Sequence, residues 1–227
     1  MKGSISDAVG NAHRVVQVER TVGVFSESNV QSLALHSRDV ILFLNGYYLV
    51  AHFTMITLFF GWMLIRHPDA YPSCRRILIV MTAIGLAIHA VYPLAPPRML
   101  PDMGFIDTGR LFGPSPYGDT SKGLANQFAA MPSLHFGWAM LVAWGATRFS
   151  PSPWRRVLWL HPFLTLAAII ITANHYWLDA AVAFCIFLAA LNIDRALRRR
   201  FVRLRALDTN DPANQSEAGA DSAIVAA

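Results

Sequence analysis

Long stretches of this chain carry almost no charge. Apolar runs at 38–65, 76–95, 132–147, 157–173 and 176–193 follow one another with short polar joints, except for a long polar loop between the second and third. A run of about 18 or more such residues has the length to cross a bilayer as a helix, and the third and fourth runs sit near the lower limit of about 17. Only 15% of the residues are charged, against 54% hydrophobic, whereas a soluble domain carries about a quarter. The sequence therefore predicts one all-α integral membrane bundle with five visible spans.

The net charge of +5 does not indicate nucleic acid, because the cations stand at the ends of apolar runs and read as topology signals. Arg66, Arg75, Arg76, Arg148, Arg155, Arg156, Arg195, Arg198, Arg199, Arg200, Arg203 and Arg205 account for twelve of the nineteen Lys and Arg residues, and all fall on one side if the C-terminal end is cytoplasmic. The positive-inside rule favours that orientation. It puts the long loop after residue 95, and the junction around Asn174, on the outer side. Cys74 and Cys185 form neither a disulfide framework nor a zinc spacing. The first twenty residues lack the apolar core of a cleavable signal. Three regions are expected: an amphipathic interfacial segment at 1–37, a membrane domain at 38–195 that carries the chemistry, and a disordered polar tail at 206–227.

Three polar constellations interrupt the apolar pattern at the expected outer ends of helices. In Ala-Asn-His175-Tyr-Trp-Leu-Asp179 the histidine and aspartate are four residues apart and share a helix face. The carboxylate can hold one ring nitrogen and leave the other nucleophilic; a buried interhelical tie would use the same pair. In Met-Pro132-Ser133-Leu-His135, a helix start with a hydroxyl and unpaired N–H groups offers a cradle for a phosphate oxygen. Pro96-Pro97-Arg98 ends the second run and delivers a guanidinium to the same side. Each motif also has a bland reading, as tie, helix start or interfacial anchor. Together they supply a nucleophile, an acid, an orienting carboxylate and a cation on one membrane surface. Asn45 and His52 share a face of the first run and are expected to make structural interhelical hydrogen bonds rather than line a substrate cavity, and neither His89 nor His161 is assigned to catalysis.

PSLH followed about forty residues later by HYWLD, with PPR upstream, resembles the signature regions of the type 2 phosphatidic-acid phosphatase superfamily, in particular the branch containing inositol phosphorylceramide synthase of the aureobasidin-resistance type. The resemblance implies a bundle of five to six transmembrane helices. It implies His175 as nucleophile, Asp179 as its orienting partner, His135 as acid and Arg98 as phosphate ligand, with Ser133 beside it. Val91 and Ile169 stand where many members of the superfamily have a lysine and an arginine, which suggests the transferase-like branch or a less charged phosphodiester.

The expected function is thus a lipid-phosphate phosphatase or phosphotransferase working through a phosphohistidine, in the plasma membrane with its active site facing outside. A lipid phosphate is the substrate, and water or an alcohol such as inositol or a sugar is the acceptor. No metal and no other cofactor is expected. A metal-dependent hydrolase using His175, Asp179 and His135, and a non-catalytic lipid transporter, are the rival readings.

Overall fold

The computed structural model of the protein describes residues 5–113 and 127–209. Among these, the regular structure is helical, with one isolated parallel bridge between Leu94 and Ala129. Two helices precede the membrane domain, α1 (Ile5–Thr21) and α2 (Glu27–Ala34). The bundle follows as α3 (Arg38–Arg66), α4 (Tyr71–Val91), α6 (Leu134–Phe149), α7 (Leu160–Ile171) and α8 (Trp177–Thr209), with the short α5 (Thr108–Phe112) in the loop after α4.

The helix boundaries follow local chemistry. Ser37 and Ser133 cap α3 and α6 by accepting the N–H groups of Val40 and Phe136. Pro72 lies in the first turn of α4, where a missing N–H costs nothing, and Pro93 follows just past its end. The expected irregular loop contains two single 3₁₀ turns, Pro97–Met99 and Pro101–Met103. Its central part, 114–126, lies outside the described residues, as does 210–227. α8 runs on to Thr209, so the polar tail expected from 206 begins within a helix.

Four helical stretches have the length and hydropathy to cross a membrane: Arg38–Arg66, Tyr71–Val91, Pro153–Ile171 and Trp177–Arg203. Large apolar side chains such as Phe53, Leu58, Leu86, Val91 and Phe163 point outward from them, as a lipid-facing surface requires. The expected run at 132–147 is α6, of 16 residues, which spans about 24 Å at 1.5 Å per residue, short of a hydrocarbon core of about 30 Å. It lies at the centre, packed on α3, α4, α7 and α8. Small residues permit this. A Cβ on Gly137 would stand 2.8 Å from Met81 Cε, and one on Gly145 would collide with the Phe59 ring. Backbones that approach so closely gain van der Waals contact that bulkier residues would block.

The polypeptide alternates direction through these helices, so the starts of α3, α6 and α8 and the ends of α4 and α7 gather at one end of the bundle. That end is covered by α1 and α2. Ala8, Ala12, Val15 and Val16 of α1 are buried in a cluster with Leu94, Ala95, Phe105, Ala173 and Tyr176. Gln31 of α2 donates to the carbonyls of Ile106 and Ile171 and accepts from the Ile106 N–H, binding the loop to the end of α7. The N-terminal segment, for which an interfacial position is expected, forms a lid packed on this end of the bundle.

Candidate active site

The site begins where α7 ends. Asn174 and His175 both return their N–H groups to the Ile169 carbonyl, while Ala173 takes the left-handed conformation with φ of 52°. This is the usual way a helix terminates, here with alanine in place of the commoner glycine, a conformation that costs an L-residue about 1–2 kcal/mol. The turn presents the Ala173 carbonyl to the Arg98 N–H at 2.8 Å and carries His175 to the head of α8.

The His175 ring is held by its Nδ1. The Ala130 carbonyl lies 2.7 Å from that nitrogen and Asp179 Oδ2 lies 3.3 Å away. Only an Nδ1–H can serve two acceptors, so Nε2 keeps its lone pair. Burial pushes the His175 pKa down to about 4, with the nearby Arg98 charge acting in the same direction and the Ala130 hydrogen bond opposing. The imidazole is therefore neutral at pH 7. The expected His–Asp pair exists, but its shorter partner is a backbone carbonyl from the segment before α6.

Asp179 is fully buried. Its Oδ2 also accepts the Tyr176 N–H at 2.9 Å, and Oδ1 has no hydrogen-bond partner among the described residues. Arg98 is nine-tenths buried. Its Nη1 donates to Asn174 Oδ1 at 2.6 Å, and Nε lies 3.8 Å from Asp107 Oδ2. These contacts fix the guanidinium before any ligand arrives, which is how a planar fork acquires direction.

His135 stands in the first turn of α6, its ring centroid 6.0 Å from that of His175. It is sandwiched between Tyr48 at 4.4 Å and His52 at 4.1 Å, and His52 in turn stacks on Trp138 at 4.5 Å. A column of four rings thus sets the orientation of His135.

A cavity of about 470 Å³ lies at this junction, lined by Tyr48, His89, Arg98, His135, Asn174 and His175 among others. Its apolar wall includes Leu86 and Ala90 on α4 and Leu134 on α6. Arg98 is the one Lys or Arg side chain on its lining among the described residues. Four of the five predicted site residues, His175, His135, Asp179 and Arg98, meet here. Asp179 stands behind His175 rather than on the wall. Ser133 is wholly buried, caps α6, and is not on the lining. Ile169 is buried inside the bundle and Val91 points outward, so neither departure places a polar group at the cavity.

Sequence reasoning passed over Asn174, Tyr48 and His89. Asn174 adjoined the key histidine and was the most recoverable. His89 reaches the cavity while its Nε2 contacts the Pro132 carbonyl at 3.1 Å, a backbone contact no spacing rule reveals. Asn45 proves to be a structural tie as expected, bonded to Thr108 and Gly113 of the loop, whereas His52 belongs to the ring column. Among the described residues no group of three His, Cys, Asp or Glu side chains is arranged to hold a metal ion.

The chain is 26% identical over 193 residues to the inositol phosphorylceramide synthase catalytic subunit aur1 of Schizosaccharomyces pombe, an alignment covering 75% of this chain and 44% of that protein. It therefore spans less than half the length of that relative. No solved structure gives a significant match. The sequence profile of the PAP2 superfamily matches residues 13–193, from within α1 to Ile193 in α8. On that match, which covers well over half of its length, the chain belongs to the PAP2 superfamily, a family of membrane lipid phosphatases and phosphotransferases.

Proposed function

We propose that the protein transfers the phosphoryl group of a lipid phosphate ester through a phosphohistidine on His175, with the site open to the extracytoplasmic side of the plasma membrane. The observation that supports this best is the His175 ring itself: its Nδ1 is engaged by Ala130 and Asp179, so that Nε2 is the nucleophilic nitrogen at a cavity shared with Arg98 and His135. Nε2 attacks phosphorus, and the bond to the leaving oxygen breaks as that oxygen takes a proton from His135. His135 would acquire this proton when an anionic phosphate enters beside it, since a nearby negative charge favours the imidazolium. Arg98 and Asn174 hold phosphoryl oxygens. Ser133 contributes by fixing the first turn of α6, and so the position of His135. Water or an alcohol then takes the phosphoryl group from Nε2, returning its own proton to His135. Leu86, Ala90 and Leu134 on the cavity wall suit an acyl-bearing substrate that stays in the bilayer.

A second reading follows from the relative's name. An inositol- or sugar-phosphate transferase acting onto or from a lipid uses the same first step with an alcohol acceptor, and the single cationic side chain on the lining among the described residues suits a monoanionic diester better than a dianionic monoester.

The chemistry is tested with purified protein in lipid micelles, a panel of lipid phosphates, and each candidate alcohol present or absent. His175→Ala is expected to abolish turnover and any acid-labile phosphoenzyme. His135→Ala should still form that intermediate from an activated aryl phosphate, whose leaving group needs no proton. Equal and complete loss of phosphoenzyme in both variants would refute the assignment, and loss of activity in a chelator would favour the metal-dependent rival.

A further inference from the structure

The head of α8 is capped from a distance. In an ordinary capping box the residue before the helix accepts an N–H from the third helical residue, and the third residue's side chain reaches back to return the favour. Half of that box is present: Asp179, third in α8, accepts the Tyr176 N–H at 2.9 Å. The other half cannot form locally. Tyr176 has no short side-chain oxygen, and its hydroxyl donates to the Ala95 carbonyl at 3.0 Å.

The next two amides are instead taken by carboxylates from the lid. Glu27 Oε1, on α2, accepts the Trp177 N–H at 3.2 Å, and Glu19 Oε1, on α1, accepts the Leu178 N–H at 2.7 Å. Both glutamates are essentially inaccessible to solvent. Glu27 Oε2 also accepts the Ser26 N–H at 2.9 Å. Three carboxylates thus converge on three successive N–H groups, where the positive end of the helix dipole favours negative charge.

Three carboxyl groups buried side by side cannot all carry charge at low cost. Burial, reinforced by the neighbouring Glu27, pushes Glu19 up to about 9.

We propose that Glu19 and Glu27 are positioning residues of the His175–Asp179 centre, a pair of side chains that caps α8 from outside the helix and frees Asp179 to face the His175 ring. This rests on the reading of His175 as the nucleophile. Without the pair, the two amides of Trp177 and Leu178 must find water or the Asp179 carboxylate. Asp179 would then turn toward the helix, and the imidazole would lose the charge that stabilises it as it becomes cationic. The lid is thereby part of the catalytic apparatus although it touches no substrate.

The test uses the full chain in detergent, with Glu19→Ala, Glu19→Gln and Glu27→Gln compared by two readouts. One is kcat against KM for a lipid phosphate. The other is the rate at which diethyl pyrocarbonate modifies His175, followed by mass spectrometry on the folded fraction, which reports ring nucleophilicity whatever the substrate. Glu19→Ala should lower kcat by about tenfold, the scale of a lost helix cap, leave KM within about twofold, and slow His175 modification in parallel. Glu19→Gln should restore most of both, because its amide oxygen still accepts from Leu178. Glu27→Gln should behave as the milder lesion of the two glutamates. Wild-type kcat together with a wild-type modification rate in Glu19→Ala would overturn the proposal, as would failure of Glu19→Gln to restore either. Should wild type turn over no lipid phosphate at all, the functional reading fails, and the His175 modification rates alone decide whether the pair positions the ring.

Discussion

At the scale of single residues, the telling contrast is between the two acceptors of His175 Nδ1. The Ala130 carbonyl is closer, at 2.7 Å against 3.3 Å for Asp179, so in the resting site the carbonyl fixes the tautomer. On the proposed mechanism Asp179, fully buried with one oxygen unpartnered among the described residues, acts when the ring gains positive charge. Asp179→Asn should then leave the fold intact, because an amide oxygen can still accept the Tyr176 N–H and a buried charge is removed. Turnover should fall on the order of hundreds-fold or more, as when the carboxylate of a hydrolytic triad is neutralised. Measuring melting temperature and kcat together separates this from a structural tie, which would show early melting with a normal rate per folded molecule. The i, i+4 spacing made Asp179 visible in the sequence. Ala130 was not visible, since a carbonyl partner forty-five residues away depends on how two chain segments meet and not on side-chain identity.

Among the elements, α1 and α2 were the hardest to read. Their glutamates look like the solvated face of an amphipathic helix, and only the approach of α8 turns them into caps. α6 was legible as an apolar run but not as a short central helix, because its glycines announce close approach without naming the partner. The buried pair predicts how stability depends on pH. Glu19 rises from its ordinary 4.5 to about 9, so the folded state binds the proton more tightly than the unfolded one. Its contribution is complete below about 4.5 and is lost as pH rises toward 9. His175 falls from 6.5 to about 4, and its contribution is complete above about 6.5 and lost as pH falls toward 4. Thermal stability in detergent should therefore pass through a maximum and decline on both sides. Glu19→Gln should flatten the alkaline decline and leave the acid one. A wild-type alkaline slope in that variant would show that Glu19 does not hold the proton, and calorimetry across this range is sufficient to decide.

For the molecule as a whole, the sequence conveyed a helical membrane protein because apolar run length is a one-dimensional property, and signature residues named the family. What it could not convey is that the run ends converge into a cavity roofed by the N-terminal helices. Two ends of unlike character result. One carries the cavity and the lid. The other collects the starts of α4, the end of α6 and the length of α8 beyond Asp194, where Arg76 pairs with Asp194 at 2.7 Å and twelve of the nineteen cations reside. The charge bias supports the proposed orientation, with that second end in the cytoplasm and the cavity outside. Cysteine labelling in intact cells tests this in a background lacking Cys74 and Cys185. The probes must be exposed, which excludes Arg98 and Asn174; Val22 and Leu111 serve at the cavity end, Arg200 at the other, and all three are exposed side chains. Val22→Cys and Leu111→Cys should react with a membrane-impermeant maleimide in intact cells, and Arg200→Cys only after permeabilisation. The reverse pattern would put the cavity on the inner leaflet. The chemistry at His175 would stand, but the lipid phosphate and its acceptor would have to be supplied from the cytoplasm.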